Sequence, residues 1–479
     1  MAQEHQSWPQ INNELLPHTV FRLAELLPNS VHSEHFSDGS DLANAVHATA
    51  WWIEKNVGKP RVSNGSEARV YFGPNDLRYG ILVLASVCVG YKMLFPSPRY
   101  GADAITKLIE QVNGNIMLNP NPRLPVSAQV LQKRPMKIFQ IPSLGDLLTA
   151  ETQPYPFNKT FEQHKHEPLV CLHTSGTTGF PKPILWTHDW AQSFLESISL
   201  PDPSEKHRAA VHFKNTDTRT ERGVDIVAIP PPHAEYLGSN PALLDRVAAR
   251  AKKLVWSGGE IFVAAGNAIA AKMRPHNELG STELGLWPSL ERNAVSDENW
   301  QYVPIHPAMN MRLDPVAKTA EGEDICEGVM VKNDESGWVQ PLFRIYTDVK
   351  EKSLGDLFVR HPQHPELLRP VGRTDDMLYF QSEKFFPAVA EGKIAAHLGV
   401  EQVMMVGTKR SRGALIIRLQ KNAKLDDELP VYARIERHMI LVVKQPFLLT
   451  AKGTVQKKAM LDLYERELDE LYGSTTSTP

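Results

Sequence analysis

The most informative segment of the chain reads Thr174-Ser175-Gly176-Thr177-Thr178-Gly179-Phe180-Pro181-Lys182-Pro183. An apolar run from Leu169 to Leu172 precedes it and is typical of a buried strand, and an apolar stretch from Ile184 to Trp186 follows it. Glycines allow backbone N–H groups to close around phosphate oxygens, and threonine and serine hydroxyls add donors. Lys182 adds a positive charge that suits a phosphate. The segment therefore predicts a loop that binds nucleotide phosphates.

The spacing within this loop separates it from the phosphate loop of kinases and ATPases. That loop requires Gly-x-x-x-x-Gly-Lys followed by Ser or Thr, whereas Lys182 follows Pro181 here. Together with Thr187-His188, the segment instead resembles the signature loop of the adenylate-forming superfamily, which includes acyl-CoA synthetases, luciferases and the adenylation domains of nonribosomal peptide synthetases. The resemblance gives Lys182 a catalytic role. The residues that it assigns to the ATP phosphates are Thr174, Ser175, Gly176, Thr177, Thr178 and Gly179.

A second segment, Asn277-Glu278-Leu279-Gly280-Ser281-Thr282-Glu283, resembles the family's N-x-Y-G-x-T-E motif. The resemblance implies that Asn277 and Glu278 bind the nucleotide, that Thr282 contacts the α-phosphate as a catalytic residue, and that Glu283 holds Mg²⁺. A carboxylate suits Mg²⁺, which takes hard oxygen ligands and usually one or two carboxylates plus phosphates.

A Gly-Gly turn follows the apolar stretch Leu254 to Trp256. It reads Ser257-Gly258-Gly259-Glu260 and is similar to the family's turn beside adenine and the acid. The resemblance therefore adds Gly258, Gly259 and Glu260 to the nucleotide-binding residues.

Two further motifs lie towards the C-terminus. Leu354-Gly355-Asp356-Leu357 resembles the family's Gly-Asp segment, which implies that Asp356 accepts the ribose hydroxyls. Gly372-Arg373-Thr374-Asp375-Asp376 resembles the family's hinge, which implies that Arg373 lies near ribose or phosphate. It also implies that Asp375 is the pivot of a mobile C-terminal domain.

The segment Thr450-Ala451-Lys452-Gly453-Thr454-Val455-Gln456-Lys457-Lys458 resembles the loop that carries the family's catalytic lysine. A mobile cation there would neutralise charge as the carboxylate attacks the α-phosphorus. Many family members place that lysine after the glycine, whereas Thr454 stands there and Lys452 precedes the glycine. We assign the role to Lys452 and expect Lys457 and Lys458 to form a solvated helix start. These C-terminal motifs most resemble fungal adenylation domains of nonribosomal-peptide-synthetase-like enzymes and carboxylic acid reductases.

Strand-like and helix-like segments alternate along the chain and predict an α/β fold with mostly parallel sheets flanked by helices. We expect a large adenylation domain over residues 1–372, a small mobile α+β lid over residues 373–472, and a disordered tail over residues 473–479. A helix is predicted over residues 241–253 and another over residues 457–472.

Composition narrows the function classes. The net charge of −3 gives no field that would attract nucleic acid or a membrane surface. The three cysteines form no pair at metal-binding or disulfide spacing, and the N-terminus lacks the pattern of a signal peptide. The longest apolar stretch, Ile81 to Val89, is too short to span a bilayer and predicts a buried helix or strand. We therefore expect a cytoplasmic protein.

The chain departs from the family pattern in its acid-binding region. Only 70 positions separate His188 from Gly258, several dozen fewer than the family holds, and residues 205–222 are polar instead of the expected aromatic-Pro-Pro-x-His-x-x-Gly segment. Leu279 replaces a tyrosine that stacks on adenine, and Gln381-Ser382 lacks a glycine used in the thioester-forming orientation.

Two hypotheses follow. In the first, the chain is an adenylate-forming ligase that uses ATP and Mg²⁺ to activate an organic acid, tilted towards aryl or other non-amino acids, in fungal-type secondary metabolism. No carrier motif or reductase motif is present, so an acceptor thiol would come from CoA or from the phosphopantetheine of a separate carrier protein. In the second, the chain is a degenerate relative that binds nucleotide without turnover.

Overall fold

The structure is a computed structural model. It describes residues 13–26, 39–74, 76–98, 100–174, 181–197, 200, 226–290, 299–319, 322–333, 338–380, 383–385, 387–395, 399–408, 410, 413–420, 435, 437–449 and 455–473. Several predictions fall on residues outside these ranges: Ser175 to Gly179 of the phosphate loop, the polar stretch 205–222, Lys452, and the tail after residue 473. Within the described ranges, no helix has the length and apolar character needed to cross a membrane.

The helices and strands follow one another in alternation along much of the chain. The α-helices are α1 Leu16–Leu26, α2 Gly39–Asn56, α3 Arg78–Val89, α4 Ala102–Gln111, α5 Pro125–Lys133, α6 Leu144–Leu148, α7 Phe161–His164, α8 His188–Ser197, α9 Pro231–Gly238, α10 Pro241–Ala248, α11 Val263–Ala270, α12 Leu342–Ile345, α13 Pro387–Ala395, α14 Lys457–Leu463 and α15 Glu465–Gly473. The strands are β1 Ala68–Tyr71, β2 Lys92–Leu94, β3 Ile116–Asn119, β4 Lys137–Gln140, β5 Pro168–Thr174, β6 Lys182–Thr187, β7 Ile226–Ala228, β8 Lys253–Trp256, β9 Arg274–Asn277, β10 Gly280–Ser281, β11 Gly285–Leu286, β12 Val303–Pro304, β13 Met311–Lys318, β14 Asp324–Val331, β15 Glu351–Arg360, β16 Leu367–Arg373, β17 Leu378–Phe380, β18 Glu383–Phe385, β19 Val400–Val406, β20 Ala414–Leu419 and β21 Ile440–Val443.

The chain divides into two compact units. Unit 1 comprises the described residues within 1–199, 281–285 and 334–348. Unit 2 comprises those within 200–280, 286–333 and 349–479. The predicted lid boundary at residue 373 stays a prediction.

Unit 1 is built on a six-stranded sheet in the order β4-β3-β1-β2-β5-β6. Its first five strands are parallel, and β6 runs antiparallel to β5. Strand β1 is buried throughout, as expected for a parallel strand covered by helices. The apolar stretch Ile81 to Val89 lies in helix α3, which ends at Gly90 in the left-handed region with φ 103°.

Unit 2 contains several smaller sheets. Strands β7, β8 and β9 form a parallel sheet, and β12-β16-β15-β14-β13 form an antiparallel one. The C-terminal part holds the β17-β18 hairpin and a sheet of β19, β20 and β21 packed with α13 and the last helices. The predicted α/β class with predominantly parallel sheets and a small α+β C-terminal region is therefore confirmed.

Two predicted helices are shorter than expected. Helix α10 ends at Ala248 because the chain enters strand β8 at Lys253, where its side chain is buried. The C-terminal helix is interrupted at Tyr464, which separates α14 from α15.

Candidate functional site

The phosphate loop is framed by an antiparallel pair of strands in unit 1. Strands β5 and β6 pair so that Thr174 lies opposite Lys182. Thr174 and Lys182 form the last residue pair of these strands before the loop. The pairing therefore holds the two ends of the loop next to each other. The Lys182 side chain is exposed and Thr174 is half-buried, so both are accessible to a ligand. Ser175, Gly176, Thr177, Thr178 and Gly179 lie outside the described residues.

The segment Thr282-Glu283 belongs to the same unit and is held from strand β6 and helix α8. The Trp186 indole Nε1–H donates to the Thr282 carbonyl oxygen at 2.7 Å, and the Trp190 Nε1–H donates to the Glu283 carbonyl oxygen at 3.0 Å. Leu284 N–H closes the turn on the Ser281 carbonyl oxygen at 3.2 Å. Unit 1 thus brings Thr174, Lys182, Thr282 and Glu283 into one framework. Nothing in the sequence reasoning identified the two tryptophans.

The Glu283 carboxylate is half-buried. Its charge lies close enough to Tyr346 to raise the pKa of that phenol, although burial is the larger cause. Among the residues that the structure describes, no group of three or more His, Cys, Asp or Glu side chains could hold a metal ion. A single carboxylate such as Glu283 fits Mg²⁺ that arrives with ATP, because phosphates and water supply its other ligands.

The predicted adenine-side residues lie together in unit 2, at the carboxyl ends of β8 and β9. The two strands are parallel with Trp256 opposite Asn277, and Gly258 turns the chain with φ 96°. The Asn277 amide Nδ2–H donates to Glu260 Oε1 at 3.0 Å, and Glu278 N–H donates to the Trp256 carbonyl oxygen at 2.8 Å. Ligands of open α/β sheets bind at this edge.

Two glutamates at this edge have raised pKa values. Burial raises the pKa of the Glu260 carboxyl to about 7, while the hydrogen bond from Asn277 and the charge of Arg369 oppose the rise. Many protein atoms surround the Glu260 carboxyl, but the residue is exposed to solvent, whereas Glu235 is partly buried. Burial also raises the pKa of Glu235 to about 7, and Glu235 Oε1 accepts a hydrogen bond from Phe262 N–H at 3.3 Å. Near neutral pH either carboxyl can donate or accept a hydrogen bond.

Sequence reasoning did not single out Glu235. The feature that could have indicated Glu235 is its position in helix α9, Pro231–Gly238, which starts three residues after strand β7.

The predicted ribose and hinge residues lie on neighbouring strands of unit 2. Asp356 on β15 is opposite Arg373 on β16, and Arg373 Nη1 donates to Asp356 Oδ1 at 2.9 Å. Gly355 has φ 69°, a left-handed backbone conformation that glycine adopts readily and other residues rarely do. Asp375 is exposed in the turn that follows β16.

The start of helix α14 differs from expectation. Helix α14 does begin at Lys457, but Lys457 Nζ lies 3.4 Å from Asp376 Oδ1 in an ion pair and is not simply solvated. Lys458 is exposed, as expected. Lys452 lies outside the described residues.

Comparison with known proteins agrees with this arrangement. Residues 40–217 match the model of the AMP-binding enzyme family, and residues 375–476 match that of the AMP-binding enzyme C-terminal domain. The isocyanide synthase-NRPS hybrid crmA of Aspergillus fumigatus is 28% identical, over 95% of this chain and 32% of its own length. A carboxylic acid reductase of Neurospora crassa is 26% identical, over 84% of this chain and 44% of its own length.

A crystal structure of the anthranilate CoA ligase AuaEII in complex with anthranoyl-AMP shares the fold. It has a TM-score of 0.66 and 14% identity, and the match covers 95% of this chain and 98% of that one. The chain spans less than half the length of the two relatives that it matches in sequence. The chain therefore contains an AMP-binding enzyme domain and an AMP-binding enzyme C-terminal domain, and its ordered motifs are similar to those of the adenylate-forming superfamily.

Proposed function

We propose that this chain activates an organic carboxylic acid with ATP as its acyl-adenylate. A carboxylate oxygen attacks the α-phosphorus, the bond from that phosphorus to the bridging oxygen breaks, and pyrophosphate leaves. The observation that carries the proposal is the framework of unit 1, where strand β6, which begins at Lys182, and helix α8 after it together hold Thr282-Glu283. Triphosphate and metal contacts are needed together in this reaction.

The residue roles in this proposal divide between the units. In unit 1, Thr174, the loop after it and Lys182 bind the phosphates, Thr282 contacts the α-phosphate, and Glu283 holds the Mg²⁺ of Mg-ATP. In unit 2, the turn Gly258 to Glu260 with Asn277 and Glu278 binds adenine and borders the acid. The remaining roles fall to Asp356 and Arg373 at the ribose, Asp375 at the hinge, and Lys452 at the reacting phosphate.

The substrate class in this proposal is an aryl or other non-amino acid. Adenylation domains for α-amino acids hold the amine with an aspartate in the segment that this chain lacks. The acyl group would then pass to CoA or to the phosphopantetheine of a separate carrier protein. The reductase and synthetase names of the relatives are consistent with such a carrier-linked route.

The test is ATP–pyrophosphate exchange with purified protein across a panel of aryl, keto, aliphatic and amino acids. Exchange that depends on one class of acid supports the proposal. The degenerate alternative is favoured by the short interval between His188 and Gly258. ATP binding with no exchange for any acid would support that alternative, and no ATP binding with Mg²⁺ would overturn both.

Two substitutions separate binding from chemistry. We expect Lys182→Ala to weaken ATP binding about ten- to hundredfold, because a charge-assisted contact to a phosphate is lost. We expect Lys452→Ala to slow adenylation and leave ATP affinity unchanged. Calorimetric ATP titration and exchange rates provide the two measurements, with Lys137→Ala as control because Lys137 is an exposed lysine on strand β4 of the same sheet. Wild-type exchange in Lys452→Ala would remove that residue from the mechanism.

A further inference from the structure

We propose that Trp186 and Trp190 are positioning residues that fix the backbone of Thr282-Glu283 for catalysis, an inference that rests on the proposed function. Both indoles bond to backbone carbonyl oxygens and to neither side chain of that segment. The indoles therefore orient this segment through its backbone and do not use the Thr282 hydroxyl or the Glu283 carboxylate as hydrogen-bond partners. No motif assigned to the nucleotide includes either tryptophan.

The two indoles form a rigid stack. Their ring centroids lie 3.7 Å apart with an interplanar angle of 13°. Trp190 is 1% exposed, and the Phe194 ring continues the stack at 5.5 Å and 17°. A stacked aromatic side chain has few accessible rotamers, so the direction of each N–H is fixed by the packing around it.

The far end of the stack meets the same segment that the indoles hold. Gly285 has φ 76°, and a Cβ at that position would lie 2.6 Å from Phe194 Cδ2. Glycine permits both the left-handed backbone and the close contact. The segment from Thr282 to Gly285 is thus bonded at one end of the stack and packed at the other.

Helix α8, which carries Trp190 and Phe194, is itself anchored within unit 1. Trp338 Nε1–H donates to the Ser193 carbonyl oxygen at 3.0 Å, and Arg344 Nη1 lies 2.9 Å from Asp189 Oδ2. Trp186 lies on strand β6, whose first residue is Lys182. Strand β6 and the stack therefore connect Lys182 to the segment Thr282-Glu283 through groups with little freedom to move.

The experiment replaces Trp186 with phenylalanine, which keeps an aromatic ring in the stack and removes the N–H. Trp51→Phe is the matched control, because Trp51 is also in unit 1 and its Nε1–H also donates to a backbone carbonyl, that of Gln153, at 2.9 Å. Trp190→Phe is a second variant at the other bond. The readouts are amide hydrogen exchange of the peptide 279–287 and the Mg²⁺ dependence of ATP–pyrophosphate exchange.

We expect the 279–287 peptide to exchange about three- to tenfold faster in Trp186→Phe, because one backbone anchor is lost. The Mg²⁺ concentration for half-maximal activity should rise by a similar factor, while Trp51→Phe behaves as wild type in both measurements. Unchanged Mg²⁺ dependence, whether or not hydrogen exchange changes, would overturn the inference, since the stack would then serve stability alone. Equal effects in Trp51→Phe would overturn it as well.

The two proposals fail in different ways. If the wild-type protein catalyses ATP–pyrophosphate exchange with none of the acids, the proposed function fails. Hydrogen exchange of the 279–287 peptide, measured in Trp186→Phe and Trp190→Phe without substrates, then still decides whether the indoles hold this backbone. If the 279–287 peptide exchanges its amide hydrogens at the wild-type rate in both variants, the positioning role is overturned, whatever the catalytic result.

Discussion

His188 is buried at the first position of helix α8, directly after strand β6. Burial lowers the pKa of its imidazole to about 4, and the charges of Lys159 and His164 add to the effect. The folded chain therefore holds a neutral ring at this position at every pH above about 4. Because the buried His188 ring stays neutral, the stability of unit 1 depends on pH.

We expect unit 1 to lose stability as pH falls from about 6.5 to about 4. In that range the unfolded chain binds a proton at His188 and the folded chain does not, so acid favours unfolding. The difference between the two pKa values corresponds to about 3 kcal/mol at most. His188→Gln should reduce this loss in urea unfolding measured between pH 7 and pH 4.5, whereas His233→Gln, at an exposed position, should retain it. An unchanged pH profile in His188→Gln would contradict the expectation.

At the scale of elements, the sequence predicted the strand before the phosphate loop because apolar residues and glycines mark it clearly. It did not predict that Lys182 begins a strand, since the six residues of β6 show no regular alternation of buried and exposed positions. It also missed the Trp186–Trp190 stack, because aromatic spacing is equally typical of a core. The partners of that stack lie about a hundred residues further along the chain. Long-range contacts of this kind leave no local pattern.

A second element, helix α14, is paired with the turn that contains the predicted hinge residue Asp375. Lys457, the first residue of α14, pairs with Asp376, the last residue of the turn after β16. Nearby Glu391 on α13 is buried enough to raise the pKa of its carboxyl, and the charge of Lys457 opposes that rise. Helix α14 follows the segment that contains Lys452. The pair therefore links Asp376, the neighbour of the predicted pivot Asp375, to the first residue of helix α14.

We expect Lys457→Met to destabilise the protein by about 0.5–1 kcal/mol, a value discounted because the pair is about one-third exposed. It should also slow adenylation severalfold without changing ATP affinity, because helix α14, which follows Lys452 in sequence, loses its ion pair to the turn after β16. Lys458→Met is the control on the same helix, since Lys458 is exposed. A double-mutant cycle with Asp376→Asn measures the coupling, and strictly additive effects would show that the pair has no role.

At the scale of the whole molecule, the alternation of strand-like and helix-like segments in the sequence predicted the fold class. The same pattern did not predict how the chain divides into two units. Hydrophobic periodicity reports what each segment buries but not which segment covers it. Thr282 and Glu283 were placed in one motif with Asn277, yet the chain assigns them to unit 1 and Asn277 to unit 2. The motif is continuous in sequence, but its residues pack into different units, so its spacing alone did not indicate where the boundary falls.

The two units should respond to acid in opposite directions. Unit 2 carries Glu235, a partly buried glutamate whose pKa of about 7 exceeds the ordinary value of 4.5. The folded form binds more protons there between pH 4.5 and 7, so the contribution to stability is present at low pH and lost as pH rises through 7. In unit 1, His188 has the reverse effect. When hydrogen exchange is corrected for intrinsic rates, lowering the pH from 7 to 5 should reduce protection in unit 1 and increase it in unit 2. A change in the same direction in both units would contradict this expectation.

Unit 1 is discontinuous in sequence, because residues 281–285 and 334–348 complete a body that begins near the N-terminus. Helix α8 obtains the Trp338 and Arg344 contacts from residues some 150 positions downstream. A nascent chain must therefore leave the ribosome to about residue 348 before this body can close, and by then the first sheets of unit 2 have also been synthesised. A gene fragment that stops near residue 199 would encode the whole six-stranded sheet and still yield an incomplete fold.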